Sequence, residues 1–261
     1  MSNDFSYQAI ELLKELISIE SFSTQESKTA DAIEKFFQRQ GVKTLRKGNN
    51  VWARNAAYNP ALSTILLNSH HDTVKPNAGW TLNPFQPLVK DGKLFGLGSN
   101  DAGGALVSLI AAFIYFHKKE NLKYNFTLAA TAEEENSGKG GLELIIPDIG
   151  EIDLAIVGEP TEMKMAIAEK GLMVLDCIAK GRAGHAARDT GENAIINAIK
   201  DIEWFHSYKF PKVSELLGHV KMTATIINAG SQHNVIPDTC KFTVDVRTTD
   251  AYLNEEALDI I

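Results

Sequence analysis

Residues 64–72 read Thr-Ile-Leu-Leu-Asn-Ser-His-His-Asp and determine the fold that we predict. The run 64–68 is short and mostly apolar, which is typical of a strand buried in a parallel or mixed sheet. It leads into His70 and Asp72, which lie two residues apart and point to the same side of a continuing strand. A ligand imidazole held by a carboxylate has this arrangement, although a solvated His-His-Asp turn has the same sequence. His71 should point away from both and is expected to be structural.

Three further groups of acidic residues follow predicted strands or begin predicted helices. Asp101 comes after a glycine-rich turn at the start of a helix, where Asp is also a common N-cap. Glu133-Glu134-Glu135 follows the apolar run 124–131, and Glu159 follows the apolar run 153–157. Crowded carboxylates normally form a solvated loop, but beside divalent ions they neutralise positive charge. One Glu can then bind metal while its neighbour acts as a general base.

Strands and helices alternate through residues 1–163, which predicts an α/β domain whose sheet is sandwiched between helices. The acidic groups would meet at the carboxyl ends of its strands, where open α/β sheets place their sites. The predicted helices are 7–19, 25–40, 102–117 and 140–146, and the predicted strands are 42–45, 50–54, 64–68, 124–131 and a buried 153–157.

The pattern changes near Met163, and residues 164–261 are predicted to form a second, α+β domain. Its first two strands are expected to pair as an antiparallel hairpin, and Asn193 or Thr190 lies near the start of its long helix. The predicted strands are 165–168, 171–179, 220–228 and 239–247, and the predicted helices are 191–208 and 254–261.

The composition of the 261 residues narrows the classes of protein that fit. A formal net charge of -7 argues against nucleic acid as a partner, because that binding needs a basic face. No apolar run is long enough to span a bilayer, and the first residues lack the pattern of a signal peptide. Two cysteines, Cys177 and Cys240, imply no disulfide framework and are expected to be buried thiols. These features predict a cytoplasmic protein.

The ordered set of motifs resembles the dinuclear-zinc family of acetylornithine deacetylase, succinyl-diaminopimelate desuccinylase, aminoacylase and carboxypeptidase G. The resemblance covers nearly the whole chain and is greatest to the acetylornithine deacetylase branch. The segments that carry it are 69–74 (Ser-His-His-Asp-Thr-Val), 80–85 (Trp-Thr-Leu-Asn-Pro-Phe), 91–104, 132–135 (Ala-Glu-Glu-Glu), 158–161 (Gly-Glu-Pro-Thr), 184–186 (Gly-His-Ala), 193–195, 234–238 and 245–247 (Asp-Val-Arg).

The resemblance implies a site for two zinc ions, in which Co²⁺ is a possible substitute. His70 and Glu159 would hold one zinc ion, and Asp101 would bridge both ions. Glu135 would hold the second ion together with a histidine that comes late in the family's sequence. The fold implied is an α/β catalytic domain of the zinc-peptidase type with three layers and a mixed sheet, here residues 1–163. An α+β lid and dimerisation domain, here residues 164–261, would be inserted into it.

The resemblance also implies catalytic and substrate-binding roles. Glu134 would be the general base that deprotonates water and passes the proton to the leaving amine, and Asp72 would orient the metal-binding imidazole. His185 would reach from the lid into a partner's site and steady the oxyanion. Arg247 and Asn234 would lie near the carboxylate of the substrate, where an Arg fork suits bidentate binding. Without the resemblance, His185 could equally cap a turn and Arg247 could be a solvated strand residue.

The sequence ends within the expected lid, before the family's chain returns to the catalytic domain. The remaining histidines lack the context of the late ligand; they are His71, His117, His206, His219 and His233. We therefore predict a truncated fragment of a longer enzyme, with an incomplete catalytic domain and an incomplete second metal position. Such a chain would be inactive by itself or would depend on the missing part to fold.

The leading functional hypothesis is a zinc-dependent amidohydrolase acting on N-acetylornithine or an N-acetylcitrulline-like substrate in arginine or lysine biosynthesis. A homodimer formed through the lid would fit this hypothesis. A succinyl-diaminopimelate desuccinylase, an aminoacylase or a dipeptidase of the same family are the alternatives within the class. An inactive metal-binding or dimerisation fragment is the alternative from another class, although an unligated general base such as Glu134 has no use in a purely structural metal site.

Overall fold

The computed structural model describes residues 5–188 and 190–261, and the chain divides into two compact units. The first unit extends to Met163, and the second is Lys164–Ile261. Among the described residues, no helix has both the length and the apolar character needed to cross a membrane.

The first unit alternates helices and strands. Its elements are α1 (Phe5–Ile17), α2 (Ser27–Arg39), β1 (Leu45–Lys47), β2 (Asn50–Arg54), β3 (Thr64–His70), β4 (Leu88–Lys90), β5 (Lys93–Phe95), α3 (Gly103–His117), β6 (Asn125–Thr131), α4 (Leu142–Ile149) and β7 (Leu154–Val157).

A five-stranded mixed sheet organises this unit in the order β1-β2-β6-β3-β7. Strand β3 is parallel to both of its neighbours, β6 and β7, whereas β1, β2 and β6 pair antiparallel in succession. The carboxyl ends of β3, β6 and β7 therefore lie at one edge of the sheet. The mixed α/β class predicted from the sequence is confirmed.

Alternate residues of the strands face two separate helical layers, because side chains of a strand point to opposite faces in turn. Val51 and Leu128 pack in the core shared with α1, α2 and α3, which contains Phe37 and Phe113. The next residues along the same strands, Trp52 and Ala129, face the opposite way, and Trp52, Ala129 and Leu66 pack against Ile145 and Ile149 of α4. The unit therefore has three layers, with the sheet in the middle.

Several predicted elements of the first unit differ from the structure. The first strand is 45–47 rather than 42–45, because the N–H of Val42 bonds back to the carbonyl of Phe37 and completes the end of α2. The short hairpin of β4 and β5 was not predicted. Helix α4 continues through Pro147 to Ile149 instead of ending before the proline.

The last strand of this sheet was expected to be buried, and that prediction is wrong. All four residues of β7 are exposed, with Leu154 at 54% and Val157 at 57%. β7 occupies the end of the sheet and pairs on one side only, with β3. An apolar run predicts a strand, but burial also requires a neighbouring layer, which the described residues do not supply here.

The second unit is an α+β structure. Its elements are β8 (Gly171–Lys180), β9 (Gly184–His185), α5 (Ala194–Ser207), β10 (Lys221–Ala229), β11 (Val235–Ile236), β12 (Thr239–Thr248) and α6 (Asn254–Ile260). Its main sheet has the order β10-β12-β8 and is antiparallel, and β9 pairs with β11 as a separate two-stranded sheet.

One core holds this unit together and differs from that of the first. Phe205 of α5 packs with Phe242, Val244 and Val246 of β12, all of them buried. Asn193 caps α5, since its Oδ1 accepts the N–H of Ile195. One side of the sheet is thus covered by α5, which lies within the predicted helix 191–208.

Two expectations for the second unit are wrong. Residues 165–168 form no strand, so the predicted hairpin with 171–179 is absent and β8 pairs with β12 instead. Cys240 is buried as predicted, but Cys177 is only half-buried on the β8 surface. Both errors concern which segments lie against β8. Its partner β12 is distant in the sequence, so local pattern does not indicate this pairing.

Candidate metal centre

The polar groups of the first unit meet at the carboxyl edge of its parallel strands. β3 ends at His70, and β7 is followed by Gly158 and Glu159. The loop 133–135 follows the end of β6, and Asp101 lies just before α3 begins. Because β3 is bonded to β6 on one side and β7 on the other, three strand ends bring their following residues to one place.

His70 lies at the centre of this edge and its side chain is fully buried. Its Nδ1 lies 2.9 Å from the backbone carbonyl oxygen of Asp72. A carbonyl can only accept, so Nδ1 carries a hydrogen, and Nε2 is the ring nitrogen turned towards the acidic side chains. Nε2 faces three carboxylates: Asp101 Oδ1 at 3.2 Å, Glu134 Oε2 at 3.8 Å and Glu159 Oε1 at 3.9 Å.

This donor set fits a divalent ion. Ligand atoms of His70, Asp101 and Glu159 all lie within 4.8 Å of one another. Zinc bonds of about 2.0–2.2 Å in a tetrahedron separate ligand atoms by roughly 3.4 Å, which is close to these spacings. Imidazole nitrogen and carboxylate oxygen are both donors that bind zinc in proteins. His70, Asp101 and Glu159 are therefore the residues that could hold a metal.

The charges around His70 also favour a bound cation. Burial by itself would lower the pKa of His70, but the hydrogen bond and charge of Asp72, with the charges of Glu159 and Glu134, raise it to about 9. Burial and the neighbouring charges of Asp101, Glu134 and Asp72 raise the pKa of Glu135, although His70 opposes the shift. An environment this negative favours any cation that can enter it.

Asp72 contacts His70 less directly than the sequence suggests. Its Oδ1 is 3.4 Å from the histidine Nδ1, farther than its own backbone carbonyl. The carboxylate instead accepts the N–H of Glu134 and the N–H of Glu135, each at 3.1 Å, and the hydroxyl of Ser23 at 2.8 Å. Burial would raise the pKa of Asp72, but these donors and His70 hold it below its usual range. Asp72 thus fastens the acidic loop to the end of β3.

The three glutamates of the loop have different surroundings. Glu133, at a φ of 54°, turns its carboxylate away to accept the N–H of Gly140 at 3.1 Å, where a Cβ would lie 2.2 Å from Glu133 Oε1. Glu134 presents a half-exposed carboxylate to His70. Among the described residues, Glu135 does not join the group of three ligands. The loop therefore separates one structural glutamate from two that face the site.

Asp101 is not a helix cap. Helix α3 begins at Gly103, its N-cap is Ala102, and no side chain caps it. The peptide bond between Asp101 and Ala102 is cis. The carboxylate of Asp101 is instead directed at the Nε2 of His70, which excludes the N-cap alternative for this residue.

In the second unit, His185 and Asn234 lie on neighbouring segments, whereas Arg247 lies on a strand of the other sheet. The backbone next to His185 pairs with that next to Asn234, because β9 pairs with β11 and the N–H of Ala186 bonds to the Asn234 carbonyl. The Nδ1 of His185 accepts the N–H of Ala187 at 3.1 Å in the following turn. Arg247 lies on β12 and forks onto Asp245, with contacts of 2.9 Å and 3.1 Å. Within this unit, His185 has the contact expected of a residue that caps a turn. Arg247 has the contacts expected of a solvated strand residue.

Sequence reasoning missed four residues that surround the site: Ser23, Glu26, Thr29 and Asn49. His71 is buried, as expected of a structural residue, and burial lowers its pKa to about 4. Its ring lies 2.9 Å from the Thr29 hydroxyl and 3.0 Å from the Asn49 carbonyl. Glu26 accepts the N–H of Glu133 in the acidic loop, and the hydroxyl of Ser23 donates to Asp72. Their segment reads as an ordinary polar connection between two helices, so no local signal marks them.

Comparison with known proteins agrees with this geometry. The sequence model of peptidase family M20/M25/M40 matches residues 66–255. The succinyl-diaminopimelate desuccinylase of Wolbachia pipientis wMel is 28% identical over 268 residues, which cover 95% of this chain and 65% of that protein. The acetylornithine deacetylase of Myxococcus xanthus is 28% identical over 221 residues, covering 82% of this chain and 56% of that protein. The chain thus spans less than two thirds of the length of these relatives.

Solved structures resemble the fold over nearly the whole chain. An M20 family metallo-carboxypeptidase from Sulfolobus solfataricus has a TM-score of 0.69 at 17% identity, covering 99% of this chain and 74% of that one. A dinuclear metal binding peptidase of the M20 family from Bacillus subtilis has a TM-score of 0.62 at 16% identity, covering 98% and 67%. At these identities the likeness concerns the fold alone.

Proposed function

The chain belongs to peptidase family M20/M25/M40, and we propose that it carries the centre of a metal-dependent amidohydrolase that cleaves the amide bond of an N-acyl amino acid. The observation that carries the proposal is the Nε2 of buried His70, surrounded by carboxylate oxygens of Asp101, Glu134 and Glu159 within 3.9 Å. A structural metal site needs only ligands, whereas this site also contains the carboxylate of Glu134, which lies outside the group of three ligands.

His70, Asp101 and Glu159 would hold the ion. A bound zinc ion would supply Lewis-acid chemistry and lower the pKa of water in the site. The Nδ1–H of His70, bonded to the carbonyl of Asp72, keeps the imidazole in the tautomer and orientation that a ligand needs. Glu135 is the residue that we assign to a second ion, for which a further ligand is needed.

Glu134 is the group that we assign to proton transfer. It is half-exposed, faces the ligand histidine and lies outside the three-ligand group, so it can reach a water molecule from the open side. Its carboxylate would accept a proton as water attacks the amide carbonyl, and would then give that proton to the departing amine as the carbon–nitrogen bond breaks.

The assignments in the second unit are His185 for the oxyanion and Arg247 with Asn234 for the substrate carboxylate. Their support is the family motif, because the contacts within this unit are local. Arg247 would have to exchange its fork on Asp245 for a substrate carboxylate, which offers the same bidentate geometry. A homodimer formed through residues 164–261, which would bring His185 to a partner's site, belongs to the same proposal, as does the cytoplasmic location.

The substrate class is an acylated amino acid, with N-acetylornithine, N-acetylcitrulline-like compounds and N-succinyl-diaminopimelate as candidates. Relatives named for the deacetylase and for the desuccinylase both match. Both activities would serve amino-acid biosynthesis, of arginine in the first case and lysine in the second.

The test combines metal content with turnover. The chain is loaded with Zn²⁺ or Co²⁺, its metal content is measured, and release of free amine is followed with N-acetylornithine, N-acetylcitrulline, N-succinyl-diaminopimelate and a dipeptide. We expect metal-dependent hydrolysis of one acylated amino acid, abolished by a chelator and restored by the ion. Binding of metal with no hydrolysis of any of these substrates would contradict the proposal and favour a metal-binding module.

A further inference from the structure

Glu26 is a carboxylate with no contact to solvent, outside the motifs that the proposed function uses. It immediately precedes α2 and is 0% exposed. Its Oε2 accepts the Nδ2–H of Asn49 at 2.8 Å, and its Oε1 accepts the N–H of Thr24 and the N–H of Glu133. Burying a carboxylate is costly unless donors surround it, so a group buried this completely and held by three N–H donors has a defined position.

The partner that connects Glu26 with the candidate centre is Glu133, the first residue of the acidic loop. The N–H of Glu133 lies 3.3 Å from Glu26 Oε1. The next two amides, of Glu134 and Glu135, are held by Asp72 at 3.1 Å each. Three consecutive amides of one loop are therefore fixed by two buried carboxylates that come from different elements.

A second path links the same residue to the end of β3. Asn49, which donates to Glu26, also offers its carbonyl oxygen to the Nε2 of His71 at 3.0 Å. The other nitrogen of that ring lies 2.9 Å from the hydroxyl of Thr29, in the first turn of α2. The start of α2, the turn before β2 and the residue beside the ligand histidine thus share one buried network.

We propose that Glu26 is a positioning residue for Glu134: by holding the Glu133 amide it fixes the loop at its start, while Asp72 holds the next two amides. The direction of the Glu134 carboxylate towards His70 depends on both anchors. Glu26 does not touch the reacting atoms, and no ligand of the candidate ion bonds to it. The inference rests on the proposed function for the meaning of Glu134, whereas the anchoring of the loop can be measured without turnover.

The experiment compares Glu26→Ala and Glu26→Gln in the full chain. Removing both carboxylate oxygens, and with them three hydrogen bonds, in Glu26→Ala should speed amide exchange of segment 132–137 by roughly tenfold, since the amide of Glu133 loses its partner. Zinc affinity should stay within about threefold, because the ligands are untouched. In a chain that hydrolyses substrate, kcat should fall roughly 10–100-fold with little change in KM, as expected from a misplaced base.

Glu26→Gln is the rescue variant. Its amide oxygen can still accept from Glu133 and Thr24, and the Asn49 amide can turn its oxygen towards the new NH₂ group. Exchange and kcat should therefore return to within about threefold of the parent. Glu34→Ala is the matched control, since Glu34 lies on α2, the helix that Glu26 precedes, but pairs with Arg46.

Each outcome decides the inference. Unchanged loop exchange in folded Glu26→Ala overturns it, and so does faster exchange without loss of kcat. A loss of zinc affinity and a general rise of exchange across α2 would indicate a purely structural residue and would also overturn it. If Glu26→Ala does not fold, Glu26→Asp, which withdraws the carboxylate by one methylene, is measured instead. A parent chain without turnover contradicts the proposed function, and loop exchange then decides the anchoring alone.

Discussion

Glu134 differs from its neighbours in what its carboxylate touches. The carboxylate of Glu133 is used within the loop, on the N–H of Gly140, whereas that of Glu134 lies 3.8 Å from the Nε2 of His70 and is half-exposed. Three identical side chains in a row therefore have separate surroundings. Sequence order alone could not assign them, because the difference arises from which way the loop turns after β6.

Replacing Glu134 with Gln should abolish most hydrolysis and leave metal binding intact. The amide cannot accept a proton from water, so kcat should fall roughly 10²–10⁴-fold, the range of a general base. Zinc affinity measured by competition titration should stay within about threefold, because His70, Asp101 and Glu159 are unchanged. Glu143→Gln, which removes an exposed carboxylate from α4, is the control. Full activity in Glu134→Gln would contradict the assigned role.

His117 should make the first unit less stable in acid. It is buried at the end of α3 with an unpartnered Nδ1, and burial together with the charge of Lys118 lowers its pKa below the ordinary value. A folded-state pKa below that of the unfolded chain means that the unfolded chain binds more protons as the pH falls below about 6.5. The contribution of neutral His117 is therefore complete above that pH and is lost below it.

The variant His117→Leu should lose less stability than the parent between pH 7.5 and pH 5.5. Urea unfolding at the two pH values, followed through the buried Trp52 of the same unit, measures the difference. His206→Leu, which removes an exposed histidine from α5, controls for the loss of one imidazole. An equal acid loss in the parent and in His117→Leu would show that other groups cause it.

At the scale of elements, local pattern predicted which segments form helices and strands better than it predicted their surroundings. Helix α3 was expected over 102–117 and is Gly103–His117. Strand β12 was expected over 239–247 and is Thr239–Thr248. The wrong predictions concern what each segment packs or pairs with. Residues 165–168 do not form the predicted strand, and β7, which was expected to be buried, pairs with a single strand. Periodicity is a property of neighbouring residues, whereas coverage depends on distant ones.

The open side of β7 should make the chain self-associate. An exposed apolar strand at a sheet edge offers unpaired backbone groups and apolar side chains to another molecule. Leu154→Lys places a charge at a position that is 54% exposed, so it should reduce association without unfolding the sheet. Sedimentation velocity over a range of concentrations measures the effect.

Tyr124→Lys is the matched control for that variant. Tyr124 is 49% exposed and precedes β6, a central strand, so the same charge is added away from the sheet edge. Association should persist in this control. A parent chain that stays monomeric at high concentration, or a Leu154→Lys chain that associates as strongly as the parent, would contradict the role of the β7 edge.

At the scale of the whole molecule, the two units have separate cores, and the candidate metal group found among residues 5–188 and 190–261 lies in the first. Phe37 and Phe113 belong to one core and Phe205 and Phe242 to the other. The ligands of the candidate site all precede Lys164. A metal ion that binds the folded state should therefore stabilise the first unit directly.

Zinc should raise the unfolding midpoint of the first unit and leave that of the second nearly unchanged. A ligand at 100 times its dissociation constant stabilises the folded state by about 2.7 kcal/mol. Trp52 reports on the first unit in a Trp204→Phe chain, and Trp204 reports on the second in a chain lacking Trp52 and Trp80. A His70→Ala variant should lose the shift, and an equal shift at Trp204 would mean that the units unfold together.

The sequence by itself determined the alternation of elements, the mixed α/β class and the set of acidic residues and His70 at strand ends. These follow from apolar periodicity and from residue types that precede or follow each strand, which are local quantities. Only the tertiary structure decided that Asp72 holds the loop amides, that buried Glu26 anchors Glu133 across 107 positions, and that β7 is left exposed. Hydrogen bonds between distant segments and the order of strands arise from packing of the whole sheet, and no short window of sequence contains them.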